Sequence, residues 1–208
     1  MSEHSEPSFR TALASSRWCS RALPAWLLVI TVSVWLAFTG LGERDLLRKA
    51  EIRCAETAGE MLASGDWLVP QFGGEPRLEK PPLGYWLIAA ASLPLDRVTE
   101  FTAVLPSAIA YIVTVLLVMA WGTSLGGLCA GLLAALAFAT MPIVLDKGHE
   151  AEIEMPLCLF VTFAMWMFAR RWEGRTRSRA ELAAGTTSLA LAFAIKGPPA
   201  LLFPLATF

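Results

Sequence analysis

Four short polar stretches interrupt an otherwise apolar chain, and their residue types could grip a phosphate or move a proton. Glu51 and Arg53 stand two apart in "EIRC", Glu79 and Lys80 open "EKPP", and Lys196 opens "KGPP". The fourth, "DKGHEAEIE" from Asp146 to Glu154, holds His149, Glu152 and Glu154. Lys and Arg converging from separate segments suit a phosphate, Lys as a point charge and Arg as a bidentate fork. Carboxylates in the same cavity serve as a general base or hold a divalent cation. In "EKPP" two prolines remove two backbone donors and fix the chain direction, and with it where Glu79 and Lys80 point.

Each residue also has a plainer reading. An interfacial Lys or Arg commonly snorkels to lipid headgroups. Glu56 and Glu60 read as a solvated helix face, and His149 as a polar loop residue. Trp67, Tyr85 and Trp86 suit an aromatic belt at a membrane boundary. No cluster is specific alone, so the elements that position them decide.

The chain has 208 residues, of which 55% are hydrophobic and 17% charged, with eight tryptophans. A soluble domain carries about 25% charged residues, so the balance points to an integral membrane protein. The four cysteines (Cys19, Cys54, Cys129, Cys158) show no CxxC spacing, and two lie in apolar runs, which argues against a disulfide framework or thiolate metal site. His4 and His149 are the only histidines, which excludes a histidine-rich metal centre.

A spanning helix needs about 20 mainly apolar residues. The runs 23–40, 101–122, 128–146, 154–170 and 182–195 meet or approach this, and a sixth begins after Gly197. Run 23–40 is longer than a signal-peptide core and lacks a small-x-small exit, so it reads as a retained anchor. Run 82–95 is short for a span and contains Pro94. Short cytoplasmic loops accumulate Lys and Arg. Arg10, Arg17 and Arg21 before the first span, and the loop "RRWEGRTRSR" near residue 175, are therefore expected on the cytoplasmic side. Both land there only if 82–95 lies along or dips into the outer surface. Residues 41–100 then form one long outer segment, and the 147–153 loop and Lys196 face the same side. Within that segment Leu47, Ala50, Cys54, Ala58, Met61 and Leu62 recur at helical spacing between charged residues, predicting an interfacial amphipathic helix.

The order of these motifs resembles a known family. "EIRCAETAGEMLASGDWLVPQFGGEPRLEKPPLGYWLIA" is similar to the first outer loop of the polyprenyl-phosphate-sugar-dependent glycosyltransferases of the GT-C fold. The resemblance is greatest to the bacterial aminoarabinose transferases and the protein O-mannosyltransferases. Their pattern reads roughly D-E-x-R-Y-A-E, then S-G-D-W-L-V-P and G-E-P-Y-L-E-K-P-P-L-x-Y-W. "EAEIEMPLCLFVTFAMW" and "LALAFAIKGPPALLFP" continue the match in order. The resemblance implies an all-α, polytopic transmembrane bundle, with residues 1–22 a cytoplasmic tail and 23–208 the N-terminal part of the GT-C domain. It also implies an active site on the outer face of the bacterial inner membrane.

By position, Arg53 and Lys80 match residues that hold the carrier phosphate. Glu79 matches a carboxylate that binds a divalent metal in the aminoarabinose branch, and Glu154 occupies the acidic position of the second loop. The acidic residue expected before Glu51 is Ala50 here, and Cys54 replaces the usual tyrosine. Acceptor activation therefore falls to Glu51 or Glu154, with Lys196, His149 and Glu152 as further candidates. The expected partners are a polyprenyl-phosphate-sugar donor, a lipid or protein acceptor and membrane lipids, with no nucleic acid. The alternative is a catalytically incomplete fragment or a polyprenyl-phosphate-binding scaffold without transfer activity. The apolar run ending at Phe208 suggests an N-terminal portion of a longer protein.

Overall fold

The computed structural model describes residues 19–207 except 177, and the tail 1–18, with Arg10 and Arg17, lies outside the described residues. Helix α1 (Cys19–Phe38) leads to the amphipathic helix α2 (Lys49–Ser64), then to a hairpin of β1 (Gln71–Phe72) and β2 (Glu75–Pro76). Helix α3 (Leu83–Ser92) continues into a 3₁₀ turn, Leu93–Leu95. The rest is α4 (Glu100–Ala139), α5 (Pro142–Gly148), α6 (Glu154–Trp172), α7 (Arg179–Lys196) and α8 (Pro199–Thr207). The described residues thus form an all-α bundle carrying one two-stranded ribbon, and in lipid helices satisfy their own backbone groups.

Helix α4 contains the expected span 101–122 and the first part of 128–146. By length and composition it is the one helix among the described residues able to cross a membrane. Its backbone breaks at Gly127 (φ 79°, ψ 179°), a conformation that glycine adopts without steric cost. The two limbs run antiparallel, bringing the Tyr111 hydroxyl to donate to the Ala139 carbonyl at 2.7 Å. The apolar run 128–146 does not form one helix. Its limb stops at Ala139, and α5 starts at Pro142, because proline disfavours helical geometry at the residue before it and Met141 is extended (φ −66°, ψ 124°).

Helix α3 has ten residues, about 15 Å at 1.5 Å per residue, half of a hydrocarbon core. It packs on α2, burying Tyr85, Ile88 and Ala89 against Cys54, Ala58 and Met61. The face of α2 differs in detail from the predicted stripe. Leu47 precedes the helix and is exposed, while Glu51 and Thr57 turn inward. A second core joins α1, α4 and α5 through Val29, Tyr111, Val115, Met119 and Val144. Leu23, Leu27, Trp35, Ile109, Leu133 and Leu202 are exposed outward, as a lipid-facing surface requires.

Helix α6 separates the charges. Its 19 residues span about 28 Å, with Glu154 at one end and Arg170 and Arg171 at the other. At that far end Arg170 pairs with Glu181, and Arg175 donates to the Ser124 carbonyl at 2.7 Å beside the Gly127 break. The arginine loop and the carboxylate clusters therefore occupy opposite ends of the bundle. In a cysteine-free background, single cysteines at positions 74 and 146 are expected to react with an impermeant maleimide from one side, and position 175 from the other. Labelling of all three from one side of sealed vesicles would overturn this arrangement.

Candidate functional site

Pro81 and Pro82 lead from a bend at Glu79 and Lys80 into α3, with Pro82 at its N-cap position. A Cβ placed on Gly84 would fall 2.3 Å from the Ile153 side chain, and one on Gly197 would fall 4.0 Å from Pro81. The "EKPP" segment, the 147–153 loop and the end of α7 therefore meet, with Glu51 reaching the same place from α2. The four polar stretches of the sequence share one end of the bundle.

Glu51 is fully buried. Its Oε1 accepts from Arg44 Nη2 at 2.5 Å and from the Ala151 amide at 3.3 Å, and its Oε2 accepts from the Arg48 amide at 3.2 Å. Arg48 extends the brace, bonding Asp146 Oδ2 at 3.1 Å and pairing with buried Glu150, which also receives Lys147 at 2.5 Å. Both Glu51 oxygens are engaged, so its geometry is that of a clamp between the two loops and offers no face to a substrate. Arg44 and Arg48 went unnoticed in the sequence because they precede the helix, where no periodicity marks them. Glu51→Ala is expected to destabilise the protein by about 3 kcal/mol, since two amides and a half-exposed arginine lose their acceptor. A thermal melt in detergent matching the parent would remove the clamp role.

Glu154 lies on the other side of Ile153. Its Oε1 accepts from Lys196 Nζ at 2.9 Å, while Oε2 is buried with no hydrogen-bond donor. The charges of both Lys196 and Lys80 bear on it. Glu152, 13% exposed, contacts Lys147 at 3.4 Å. Burial, and the neighbouring Glu154 carboxylate to which a protonated Glu152 can donate, push the Glu152 carboxyl above the ordinary carboxylate range, Lys147 acting weakly the other way. A raised folded pKa contributes stability below the unfolded value, near 4.3, that is lost as pH rises through the folded value. Glu152→Gln is therefore expected to flatten the melting-temperature profile above about pH 4 and to raise stability at neutral pH. An unchanged slope would show that Glu152 does not hold that proton.

Lys80 is half-buried and forms no ion pair or hydrogen bond among the described residues. Beside it, burial pushes the Cys54 thiol up to about 11 against the charges of Lys80 and Arg77, so Cys54 is an unreactive spacer. Arg53 is exposed and lines a cavity of about 220 Å³ with Phe72, Glu75, Pro76, Arg77, Leu78 and Glu79. His149 stands apart. Its Nδ1 faces the Leu145 carbonyl at 2.9 Å, its Nε2 is buried without a partner, and it lines a separate cavity of about 410 Å³ with Arg44 and Asp146.

The surroundings of Glu79 do not fit a divalent ion. Its carboxylate is 66% exposed and its nearest charged partner is the guanidinium of Arg77, at 3.5 Å. Among the described residues no group of three or more His, Cys, Asp or Glu side chains is arranged to hold a metal. Arg77 itself was not singled out in the sequence, because nothing local marks an arginine in a turn as buried.

Comparison with known proteins gives this arrangement its context. The chain is 34% identical over 189 residues to undecaprenyl phosphate-alpha-4-amino-4-deoxy-L-arabinose arabinosyl transferase 1 of Sodalis glossinidius, covering 88% of this chain and 34% of that protein. The corresponding transferase of Edwardsiella ictaluri is 31% identical, over 89% of this chain and 34% of its own length. The chain thus spans about a third of the length of these curated relatives. The fold is that of ArnT from Cupriavidus metallidurans. The crystal structure bound to undecaprenyl phosphate superposes with a TM-score of 0.77 at 23% identity, over 86% of this chain and 33% of that one. The apo form gives 0.75 at 24% identity, over 88% and 35%. The fold is therefore the multi-span GT-C bundle. The profile of the dolichyl-phosphate-mannose-protein mannosyltransferases matches residues 79–208, from Glu79 of "EKPP" through the second loop and Lys196, and the chain belongs to that family.

Proposed function

We propose that this chain is the donor-binding part of an integral membrane glycosyltransferase that moves a sugar from a polyprenyl-phosphate carrier to a lipid or protein acceptor. One observation carries the reading: Lys80, a half-buried cation in no ion pair among the described residues, precedes two prolines at a place where its charge reaches Glu154. A cation that forms no ion pair among the described residues is free to take a phosphate oxygen. Arg53 supplies a second charge from α2, and Lys196 keeps Glu154 ionised. The Glu154 carboxylate, whose Oε1 takes Lys196, is then the acceptor for a proton leaving the attacking group. Glu51 clamps the loops that carry these groups, and Glu152, Lys147 and Glu150 orient the second loop. The resulting site faces the outside of the bacterial inner membrane, by the charge asymmetry of the loops.

The names of the relatives support an undecaprenyl-phosphate-linked sugar as donor, and the acceptor proposed is a lipid, with a protein, as in the name of the matching family, the alternative. The test is transfer by the full-length gene product from undecaprenyl-phosphate-linked pentoses and hexoses to lipid or protein acceptors. Transfer to either class supports the reading, and a folded sample that moves no sugar to any acceptor overturns it. Ala50, in the place of an expected acidic residue, favours one second reading, a carrier-binding scaffold without transfer. It is the outcome in which undecaprenyl phosphate binds and no sugar moves.

A further inference from the structure

The segment Gln71–Lys80 is built around a buried charge. Its hairpin closes with a two-residue turn, Gly73 and Gly74, both at positive φ (65° and 79°), as the tightest ribbon turn demands. The amides of these two glycines donate to the Glu60 carboxylate on α2 at 2.6 and 3.2 Å, pinning the tip to the helix. The base is pinned by Arg77, whose amide donates to the Pro70 carbonyl at 2.7 Å.

The Arg77 side chain is 9% exposed, and its guanidinium lies 5.7 Å from the ring centres of both Phe72 and Tyr85. Nη1 donates to the Arg53 carbonyl at 3.2 Å and to Thr57 Oγ1 at 3.4 Å, and Nη2 reaches Glu79 Oε2 at 3.5 Å. This one side chain therefore touches α2, the hairpin, α3 and the residue before Lys80. The family pattern has tyrosine at this position, which brings no charge.

A guanidinium cannot lose its proton in a protein, and its planar fork holds direction better than an ammonium. Two aromatic faces stabilise it while it is desolvated. A divalent ion binding Glu79 would have to approach this fixed charge, and Arg53 on the same cavity wall, with Glu75 the one other carboxylate lining it among the described residues. The chemistry of the donor set therefore favours an internal cation over a bound one.

We propose that Arg77 is a positioning residue that takes the place of a divalent metal at Glu79. It holds that carboxylate and, through the rigid Glu79–Pro82 backbone, aims Lys80 at the carrier phosphate. The inference rests on the proposed function only for the identity of the ligand that Lys80 meets. Its metal arm stands without it.

The experiment uses the full-length protein in detergent, stripped of metal, with Zn²⁺ and Mg²⁺ titrated calorimetrically and metal content measured directly. No stoichiometric uptake is expected, and affinity for undecaprenyl phosphate should be the same with and without chelator. Uptake of one equivalent that Glu79→Gln abolishes would overturn the proposal, as would loss of carrier binding on chelation. For the positioning arm, Arg77→Ala is expected to weaken carrier binding about tenfold and Arg77→Lys to recover part of it. Folding is checked by gel filtration and thermal melting. Full carrier affinity in a folded Arg77→Ala protein would overturn the positioning role. If the alanine variant does not fold, a folded Arg77→Lys protein and the metal titration of the parent still decide. Carrier binding that is absent from the parent itself would count against the proposed function, and the metal titration would still be readable.

Discussion

Glu154→Gln is expected to lower sugar transfer by the full-length protein by about 10²–10⁴-fold, the usual contribution of a positioned proton acceptor. The amide keeps the volume of the carboxylate and can still accept from Lys196 Nζ, now 2.9 Å from Oε1. It loses the charge that Lys196 and Lys80 face and the basic lone pair of the carboxylate. The loss should fall on turnover and leave carrier affinity within a few fold, because binding is assigned to Lys80 and Arg53. The measurement is the transfer rate at saturating donor beside a direct binding isotherm for undecaprenyl phosphate. If the rate is unchanged, Glu154 is no base, and the Lys196 pair is a structural tie between α6 and α7. Lys196→Met tests the same arrangement from the other side. It should leave Glu154 less readily ionised and move the rate–pH profile to higher pH.

Lys80→Ala is expected to weaken carrier binding about ten- to a hundredfold, the equivalent of one charge-assisted contact of roughly 1.5–3 kcal/mol. Stability should change little, because among the described residues Lys80 has no ion-pair partner to leave behind. That pairing of a large binding effect with a small folding effect separates a ligand-facing lysine from a brace such as Arg48, which touches Asp146 and Glu150. Arg53→Ala should act in the same direction. The double variant should fall short of the sum if both charges meet one phosphate. Arg175→Ala is the control, since Arg175 sits at the opposite end of the bundle beside Ser124. A Lys80→Ala protein that binds the carrier like its parent would return Lys80 to a lysine that snorkels toward headgroups.

Much of this site was legible before any fold was seen, because the signals are local or topological. The stripe around Cys54, Ala58 and Met61 marked the amphipathic helix α2, and the apolar run 82–95 is short for a span and holds Pro94. Parity of the remaining spans, with the bias of Lys and Arg to the cytoplasmic side, then favoured Glu79, Lys80, Glu154 and Lys196 sharing one end and the arginines near 175 taking the other. That much follows from the length of a helix against the thickness of a membrane.

The pairings did not follow. Glu51 and the Ala151 amide are 100 residues apart in sequence, and Lys196 and Glu154 are 42 apart. Whether Glu51 faced a cavity or the second loop depended on the rotation of α2 about its axis, which its packing on α3 sets. The same packing presents Tyr85 and Phe72 as the two faces that enclose Arg77. Composition and periodicity place charges at an end of the bundle. Only the tertiary structure, through which helix packs on which and in what rotation, decides that Glu51 accepts from Arg44 and two backbone amides, that Lys80 forms no ion pair among the described residues, and that Glu79 lies 3.5 Å from the Arg77 guanidinium.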